Sequence, residues 1–261
     1  MIDSVVLLRS EESAGRVAAI EVGVPAGWEG TPLHHHDFDE AFYVLEGELT
    51  LRVGNELVSA GPGALAFAPG GVHHAVANPG TAEARYLLVC TPGGFERYFD
   101  RSSSEPYPET SVVGPPIDPG AGPDRALPVA AEGINVLLRG EESGGRVSIM
   151  DNVVPAGAKG PFLHTHEFDE AFYLVAGEIT FQVKEELVTA RAGELAFAPG
   201  GVPHTFTNRS GARARFVIVC TPAGFERYFG RMAAERAGVE PPDWAMQEIP
   251  EVTRVGPQID G

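Results

Sequence analysis

The chain has 261 residues, 43% of them hydrophobic, and carries 36 acidic against 19 basic side chains for a formal net charge of −17. Its length suits one large or two ordinary domains, each able to bury a core, while its acidity argues against phosphate-backbone binding, which needs basic patches, and is read as serving solubility. No apolar run approaches the ~20 residues that span a bilayer, and Met1-Ile2-Asp3-Ser4-Val5 lacks the basic-then-apolar design of a signal peptide, so the expectation is a soluble, cytoplasmic protein with no nucleic-acid or membrane partner.

Along the chain, short segments rich in Val, Leu, Phe and Tyr alternate with Gly-Glu, Pro-Gly and Asn-Pro-Gly turn signals. His34-His35-His36 comes first, and alternate residues of a strand share a face, so His34 and His36 point the same way. Asp37-Phe38-Asp39 allows a bend before Glu40. Glu48-Leu49-Thr50-Leu51-Arg52-Val53 alternates polar and apolar, the period of a half-buried strand. The turn Pro69-Gly70-Gly71 leads into a further strand carrying His74, and Tyr86 to Cys90 reads as another strand. A short helix is expected within Pro92 to Phe99. The Pro- and Gly-rich stretch Asp118 to Asp124 has no apolar periodicity and reads as a linker.

Everything then happens again. Residues 6–100 align with 136–230 at a constant shift of 130, with roughly three-fifths of positions identical. Leu65 to Val72 recurs letter for letter at 195–202, and Phe95-Glu96-Arg97-Tyr98-Phe99 recurs at 225–229. Val113 to Asp118 resembles Val255 to Asp260 at a shift of 142, so the second copy holds about twelve extra residues around 232–249, where a second helix is expected over Gly230 to Ala237. The chain is a tandem duplication, expected to divide into an N-terminal domain (1–118), a linker (119–124) and a C-terminal domain (125–261). Short strands without long central helices predict an all-β barrel or sandwich with short helical ends.

All eight histidines lie inside the two copies of one pattern: His34, His35, His36, His73 and His74 in the first, and His164, His166 and His204 in the second. Glu40 and Glu170 stand at matching positions. Three imidazoles and one carboxylate make a nitrogen-rich site for a first-row divalent ion, and Fe, Mn, Ni, Cu and Zn all tolerate it. The expected ligand sets are His34, His36, Glu40 and His74, and His164, His166, Glu170 and His204. His35 and His73 are replaced by Thr165 and Pro203 in the second copy, so they are expected to be exposed or to neighbour the ligands. Asp39 and Asp169 should face away from the ion, solvated or bonded to backbone. Cys90 and Cys220, one per copy, are read as strand-end core residues and not as a disulfide.

Strand parity also predicts the pocket lining. Pro32 shares the parity of His34, and its counterpart is Phe162. Val76 and Asn78 share that of His74, with Phe206 and Asn208 as counterparts, and Phe42 and Phe172 share that of the ligand Glu. The expected substrate pocket therefore includes Phe42, Val76, Phe162, Phe172 and Phe206, and the C-terminal pocket should be smaller or better suited to a flat aromatic ligand.

These residues resemble the cupin superfamily over nearly the whole chain. The first cupin motif matches at His34, His36, Glu40 and Gly47, and again at His164, His166, Glu170 and Gly177. The second matches at Gly63, Pro69, Gly71, His74 and Asn78, and at Gly193, Pro199, Gly201, His204 and Asn208. The opening glycine is displaced: Trp28 and Ala158 stand in its place, and Gly27 and Gly157 lie one residue further out. The resemblance implies a bicupin, two double-stranded β-helix (jelly-roll) barrels in tandem.

Within the superfamily, the run from Glu40 to Leu49 and the Thr91 to Phe99 ending look most like quercetin 2,3-dioxygenase-like cupins. That likeness implies a metal-dependent dioxygenase opening a hydroxylated aromatic, flavonol-like small molecule, with one metal per domain and Glu40 and Glu170 as catalytic bases. The alternatives are a non-redox metal-dependent isomerase, cyclase or decarboxylase, and a non-catalytic ligand-binding bicupin. A homo-oligomer is compatible with each.

Overall fold

The alternating segments become strands. In the first copy they are β1 (Asp3–Leu8), β2 (Ala18–Val24), β3 (Leu33–His35), β4 (Asp39–Glu46), β5 (Leu49–Val53), β6 (Glu56–Ala60), β7 (Leu65–Ala68), β8 (His74–Ala77) and β9 (Ala84–Thr91). Helix α1 (Glu96–Phe99), β10 (Ser111–Gly114) and β11 (Arg125–Ala126) follow. The second copy holds β12 (Ile134–Leu138), β13 (Ser148–Val154), β14 (His164–Thr165), β15 (Asp169–Ala176), β16 (Glu178–Val183), β17 (Glu186–Arg191), β18 (Leu195–Ala198), β19 (His204–Thr207), β20 (Ala214–Thr221), α2 (Glu226–Ala237) and β21 (Thr253–Arg254). This computed structural model describes residues 2–100, 104–118 and 120–259. Pro119 of the expected linker and Asp260 of the C-terminal match lie outside the described residues.

Each copy builds two sheets. In the first their strand orders are β1-β2-β9-β4-β7 and β10-β3-β8-β5-β6-β11. In the second they are β12-β13-β20-β15-β18 and β17-β16-β19-β14-β21. Alternate residues from both sheets of a copy meet in one core, since period-two side chains place every second residue on the inner face. Ile20, Val22, Val44, Leu51, Val58 and Leu88 belong to the first core. Met150, Leu174, Ile179, Phe181, Phe216 and Ile218 belong to the second. The chain is thus mostly β, with two jelly-roll barrels and few helices.

Three expectations need adjustment. The compact units divide between Ala130 and Ala131, later than the boundary expected at 124–125. Residues 125–130 stay with the first unit because β11 pairs with β6 and Val129 bridges to Ala64. The helix expected within Pro92 to Phe99 is confined to Glu96–Phe99. Helix α2 starts at Glu226 and not at Gly230. The buried Glu226 carboxylate accepts N–H bonds from Gly224 (2.6 Å) and Gly140 (3.0 Å), which anchors the first turn. Gly230 sits inside the helix because a Cβ there would meet the Trp244 ring at 2.4 Å. Trp244 comes from the inserted stretch, which supplies the helical extension and the 3-10 turn Asp243–Met246.

Candidate metal centres

The site residues come from three strands of each barrel and from His36 and His166, each one residue past the end of β3 or β14. β3 and β8 pair so that His34 lies opposite His74, and β14 and β19 likewise set His164 opposite His204. Glu40 on β4 lies opposite Cys90, and Glu170 on β15 opposite Cys220. The donor atoms of His34, His36, Glu40 and His74 lie within 4.8 Å of one another, as do those of His164, His166, Glu170 and His204.

Each histidine is held by its far nitrogen. Nδ1–H of His34 donates to Pro32 O (2.8 Å), that of His36 to Phe38 O (2.8 Å) and that of His74 to Val72 O (2.9 Å). The second copy repeats this with Phe162 O, Phe168 O and Val202 O, each at 2.8 Å. A carbonyl can only accept, so Nδ1 must carry a proton and each ring turns its Nε2 to the centre, where the neutral form offers a lone pair. Those Nε2 atoms meet a carboxylate: Glu40 Oε2 lies 2.9 Å from His74 Nε2 and 3.3 Å from His36 Nε2. Glu170 Oε2 lies 2.7 Å from His204 Nε2 and 3.2 Å from His166 Nε2. The buried Nε2 atoms of His36 and His166 have no hydrogen-bond partner. Converging nitrogens and a carboxylate are unfavourable in a buried site unless a cation joins them, either a proton on the His74–Glu40 and His204–Glu170 contacts or a metal ion that replaces it, so both residue sets fit a divalent ion.

The electrostatics agree. Burial works against the Glu40 and Glu170 carboxylates, but their contacts with His36 and His74, or His166 and His204, outweigh it and hold both at about 2. Burial likewise disfavours the charged forms of His74 and His204, yet the facing carboxylate raises both above their ordinary value. His34 and His164 lack that close contact, and burial lowers them.

The Pro-Gly-Gly turn sets the spacing between β3 and β8. Gly71 N–H donates to His36 O (2.7 Å) and Gly201 N–H to His166 O (2.6 Å). Asp39 and Asp169, expected to be solvated or bonded to backbone, are buried, and each accepts the N–H of the turn's first glycine, Gly70 (2.8 Å) or Gly200 (2.7 Å). A Cβ on Gly70 would lie 2.5 Å from Asp37 O, inside van der Waals contact. Gly70→Ala is therefore expected to cost about 2 kcal/mol of stability and to weaken metal binding in the first barrel. Gly71→Ala, which meets only an unfavourable positive φ of 80°, should cost about 1 kcal/mol. Equal melting temperatures for the two variants would contradict this.

Other expected residues fall in different places. Phe42, Val76 and Phe172 are buried in the barrel interiors, and Phe206 packs half-buried against the second core. Phe162 is not buried in the barrel interior. It is 42% exposed, and the Arg254 guanidinium covers its ring at 3.4 Å. Parity fails there because β14 starts only at His164, so residue 162 precedes the strand. Asn78 and Asn208 do not reach the centres either, because their amides bond backbone carbonyls of Pro25 and Ala82, or Pro155 and Ala212. His35 is half-buried and His73 exposed, with ring centroids 5.2 Å apart.

Two contributors escape a reading of the sequence. Phe38 stacks on His36 with centroids 3.5 Å apart, and Phe168 on His166 at 3.6 Å, which fixes ring orientation. Cys90 and Cys220, free and buried, lie behind the ligand carboxylates, with Cys220 Sγ 3.9 Å from Glu170 Oε1. Burial, then the glutamate charge, keeps both as neutral thiols. Their retention in both copies is the one signal of that placement.

The interiors beside the two centres differ. In the second, Phe172, Phe181, Phe206 and Phe216 form a ring cluster, with Phe172–Phe181 centroids at 5.0 Å and Phe206–Phe216 at 5.4 Å. The first has Phe42, Leu51, Val76 and Tyr86 at those places. The Tyr86 hydroxyl is shifted upward by burial and then by the Glu40 charge, so it stays protonated.

Two jelly-roll barrels, each with a three-histidine, one-glutamate cluster on facing strands, define a two-domain protein with paired candidate metal sites. The chain belongs to the Cupin domain family, which matches residues 20–90 and 151–220. No functionally curated protein matches its sequence. Among solved structures it is similar to a salicylate 1,2-dioxygenase from Pseudoaminobacter salicylatoxidans, with a TM-score of 0.62 and 13% identity over 79% of this chain and 68% of that one. It is also similar to Lactobacillus farciminis oxalate decarboxylase, with a TM-score of 0.62 and 13% identity over 94% and 91% of the two chains. Protein Ylba from E. coli matches with a TM-score of 0.61 and 13% identity over 84% and 82%. At these identities the likeness concerns the fold. Among the described residues, no helix is long and apolar enough to cross a membrane.

Proposed function

We propose that the chain is a metal-dependent dioxygenase acting on a hydroxylated aromatic, flavonol-like small molecule. The observation that carries this reading is the pairing of a converging His-His-His-Glu donor set with an apolar, aromatic interior. A bound divalent ion would supply Lewis acidity, lowering the pKa of a coordinated hydroxyl. His34, His36 and His74, with His164, His166 and His204, would hold the ion by Nε2. Glu40 and Glu170 are ionised at neutral pH and stand where they could accept the substrate's hydroxyl proton. A carboxylate held at about 2 is a weak base, so this transfer requires an acidified hydroxyl.

Phe42 and Val76 would face the substrate in the first barrel, and Phe172 and Phe206 in the second. The ring cluster of the second barrel would offer more stacking surface than Phe42, Leu51, Val76 and Tyr86 do in the first, which suits a flat ligand. No lysine or arginine is among the described buried residues. Beyond the metal ion itself, a small dianion such as oxalate would find no buried lysine or arginine to pair with, which favours a neutral or singly ionised aromatic substrate.

Oxygen uptake by metal-loaded protein tests the reading. With a flavonol as substrate, uptake should match substrate loss one for one. Conversion without uptake would replace it with a non-redox isomerase, cyclase or decarboxylase. Protein that retains no metal and ignores added metal would be a ligand-binding bicupin.

A further inference from the structure

The two copies differ at one sheet edge. β6 carries Glu56-Leu57-Val58-Ser59-Ala60, and β17 carries Glu186-Leu187-Val188-Thr189-Ala190 followed by Arg191. Both pair with the preceding strand in the same register, Val53 opposite Glu56 and Val183 opposite Glu186. The far edge of β6 is covered. β11 runs parallel to it, with Arg125 opposite Val58 and Ala126 opposite Ser59. Leu57 O accepts from Asp124 N–H (2.6 Å), Leu57 N–H donates to the Asp124 carboxylate (2.9 Å), and Leu127 N–H donates to Ser59 O (2.8 Å). Leu127 also packs on the first core.

β17 is the terminal strand of its sheet among the described residues. The effect on identical side chains is large: Val58 is 3% exposed, whereas Val188 at the equivalent place is 48% exposed, beside Leu187 at 54%. Val188 shares the parity of the buried Ala190, so it faces inward and remains wet because no described strand lies along the edge. By equivalence with Leu57 and Ser59, the backbone groups of Leu187 and Thr189 point away from β16. An edge with outward N–H and C=O groups and exposed apolar side chains is a template for another strand.

We propose that β17 is a dimer edge, along which two copies of this chain pair antiparallel about a two-fold axis with Val188 opposite its own counterpart. A two-fold through an antiparallel ladder places one residue opposite itself. Centring on Val188 sets Leu187 opposite Thr189, which puts the outward-facing groups into hydrogen-bonded pairs. The same register sets Glu185 opposite Arg191 at both ends, an opposite-charge pair across strands. The first copy has Asn55 and Gly61 at those two positions. The complementary charges therefore occur only on the edge left open. Within the chain Arg191 lies 3.4 Å from Glu178 on the exposed surface, a contact weak enough to exchange.

Sedimentation of the full chain across a wide concentration range tests this, with a monomer–dimer equilibrium as the expected result. Thr189→Pro removes an N–H that β16 does not use, and should raise the dissociation constant about tenfold or more without changing the circular-dichroism spectrum. Val188→Cys should give a covalent dimer on oxidation, because residues facing each other in a non-hydrogen-bonded pair suit a disulfide. Glu185→Arg should weaken the dimer, and adding Arg191→Glu should restore it. A monomer at every concentration, or a dimer indifferent to these changes, would overturn the proposal. So would a monomer that binds a synthetic peptide of residues 120–131, which would assign the edge to an extended segment from a different source.

Discussion

Metal-depleted protein is expected to take up two divalent first-row ions per chain, and His36→Ala or His166→Ala to abolish one tight site while leaving the other intact. Altering an outer partner of a metal-ligating histidine typically costs 10–100-fold in affinity, so loss of the imidazole itself should cost at least about 100-fold. The two donor sets lie in separate compact units, one within Met1–Ala130 and one within Ala131–Gly261, so each variant should spare the other site. Occupancy at a thousandfold excess over the dissociation constant stabilises a unit by about 4 kcal/mol. Thermal melts should therefore show His36→Ala removing metal-induced stabilisation from one transition only. Elemental analysis with equilibrium dialysis provides the count. A single ion per wild-type chain, or loss of both ions in either variant, would contradict the two-centre reading.

Protonation should make the pH responses of metal-free and metal-loaded protein diverge. In the metal-free state, His74 and His204 are raised above their ordinary value of 6.5. Their stabilisation is complete below 6.5 and fades as pH climbs through the raised values. Glu40 and Glu170 are depressed from 4.5 to about 2, so theirs is complete above 4.5 and fades as pH falls toward 2. Metal-free protein should thus melt at its highest temperature between these limits and lose stability on the alkaline side. An ion must displace the proton shared by each Glu–His pair, so affinity should fall about tenfold per pH unit for each proton displaced. Metal-loaded protein, whose sites hold no proton, therefore gains stability as pH climbs toward 6.5 and keeps it over the alkaline range where metal-free protein loses it. Calorimetric titration in buffers of different ionisation enthalpy would count the protons. Binding that releases none, or parallel pH–melting curves with and without metal, would contradict the coupling.

Both predictions rest on residues that the repeat and its spacing single out. His34, His36, Glu40 and His74 group together because the set recurs intact at 164, 166, 170 and 204, and period-two geometry places alternate histidines on one face. Strand alternation marks the cores for the same reason. Parity places Phe42, Val76 and Phe172 inside the barrels, and fails at Phe162, where the chain is not yet a strand. Asp39, read from parity as facing away from the ion, does so, and its bond to Gly70 N–H shows which backbone group it holds.

The sequence by itself determined which residues form each cluster, how many clusters exist and which barrel they belong to, because these follow from local periodicity and close repetition. Only the tertiary structure decided what lies opposite each group. Phe38 against His36, Cys90 behind Glu40 and the covered edge of β6 beside the open edge of β17 all depend on how the folded chain brings groups together. Val58 and Val188 are the same residue in nearly the same local sequence, and one is buried while the other meets water. Local propensity acts through near neighbours along the chain, whereas burial depends on segments brought alongside by folding, and those segments differ between two otherwise matching halves.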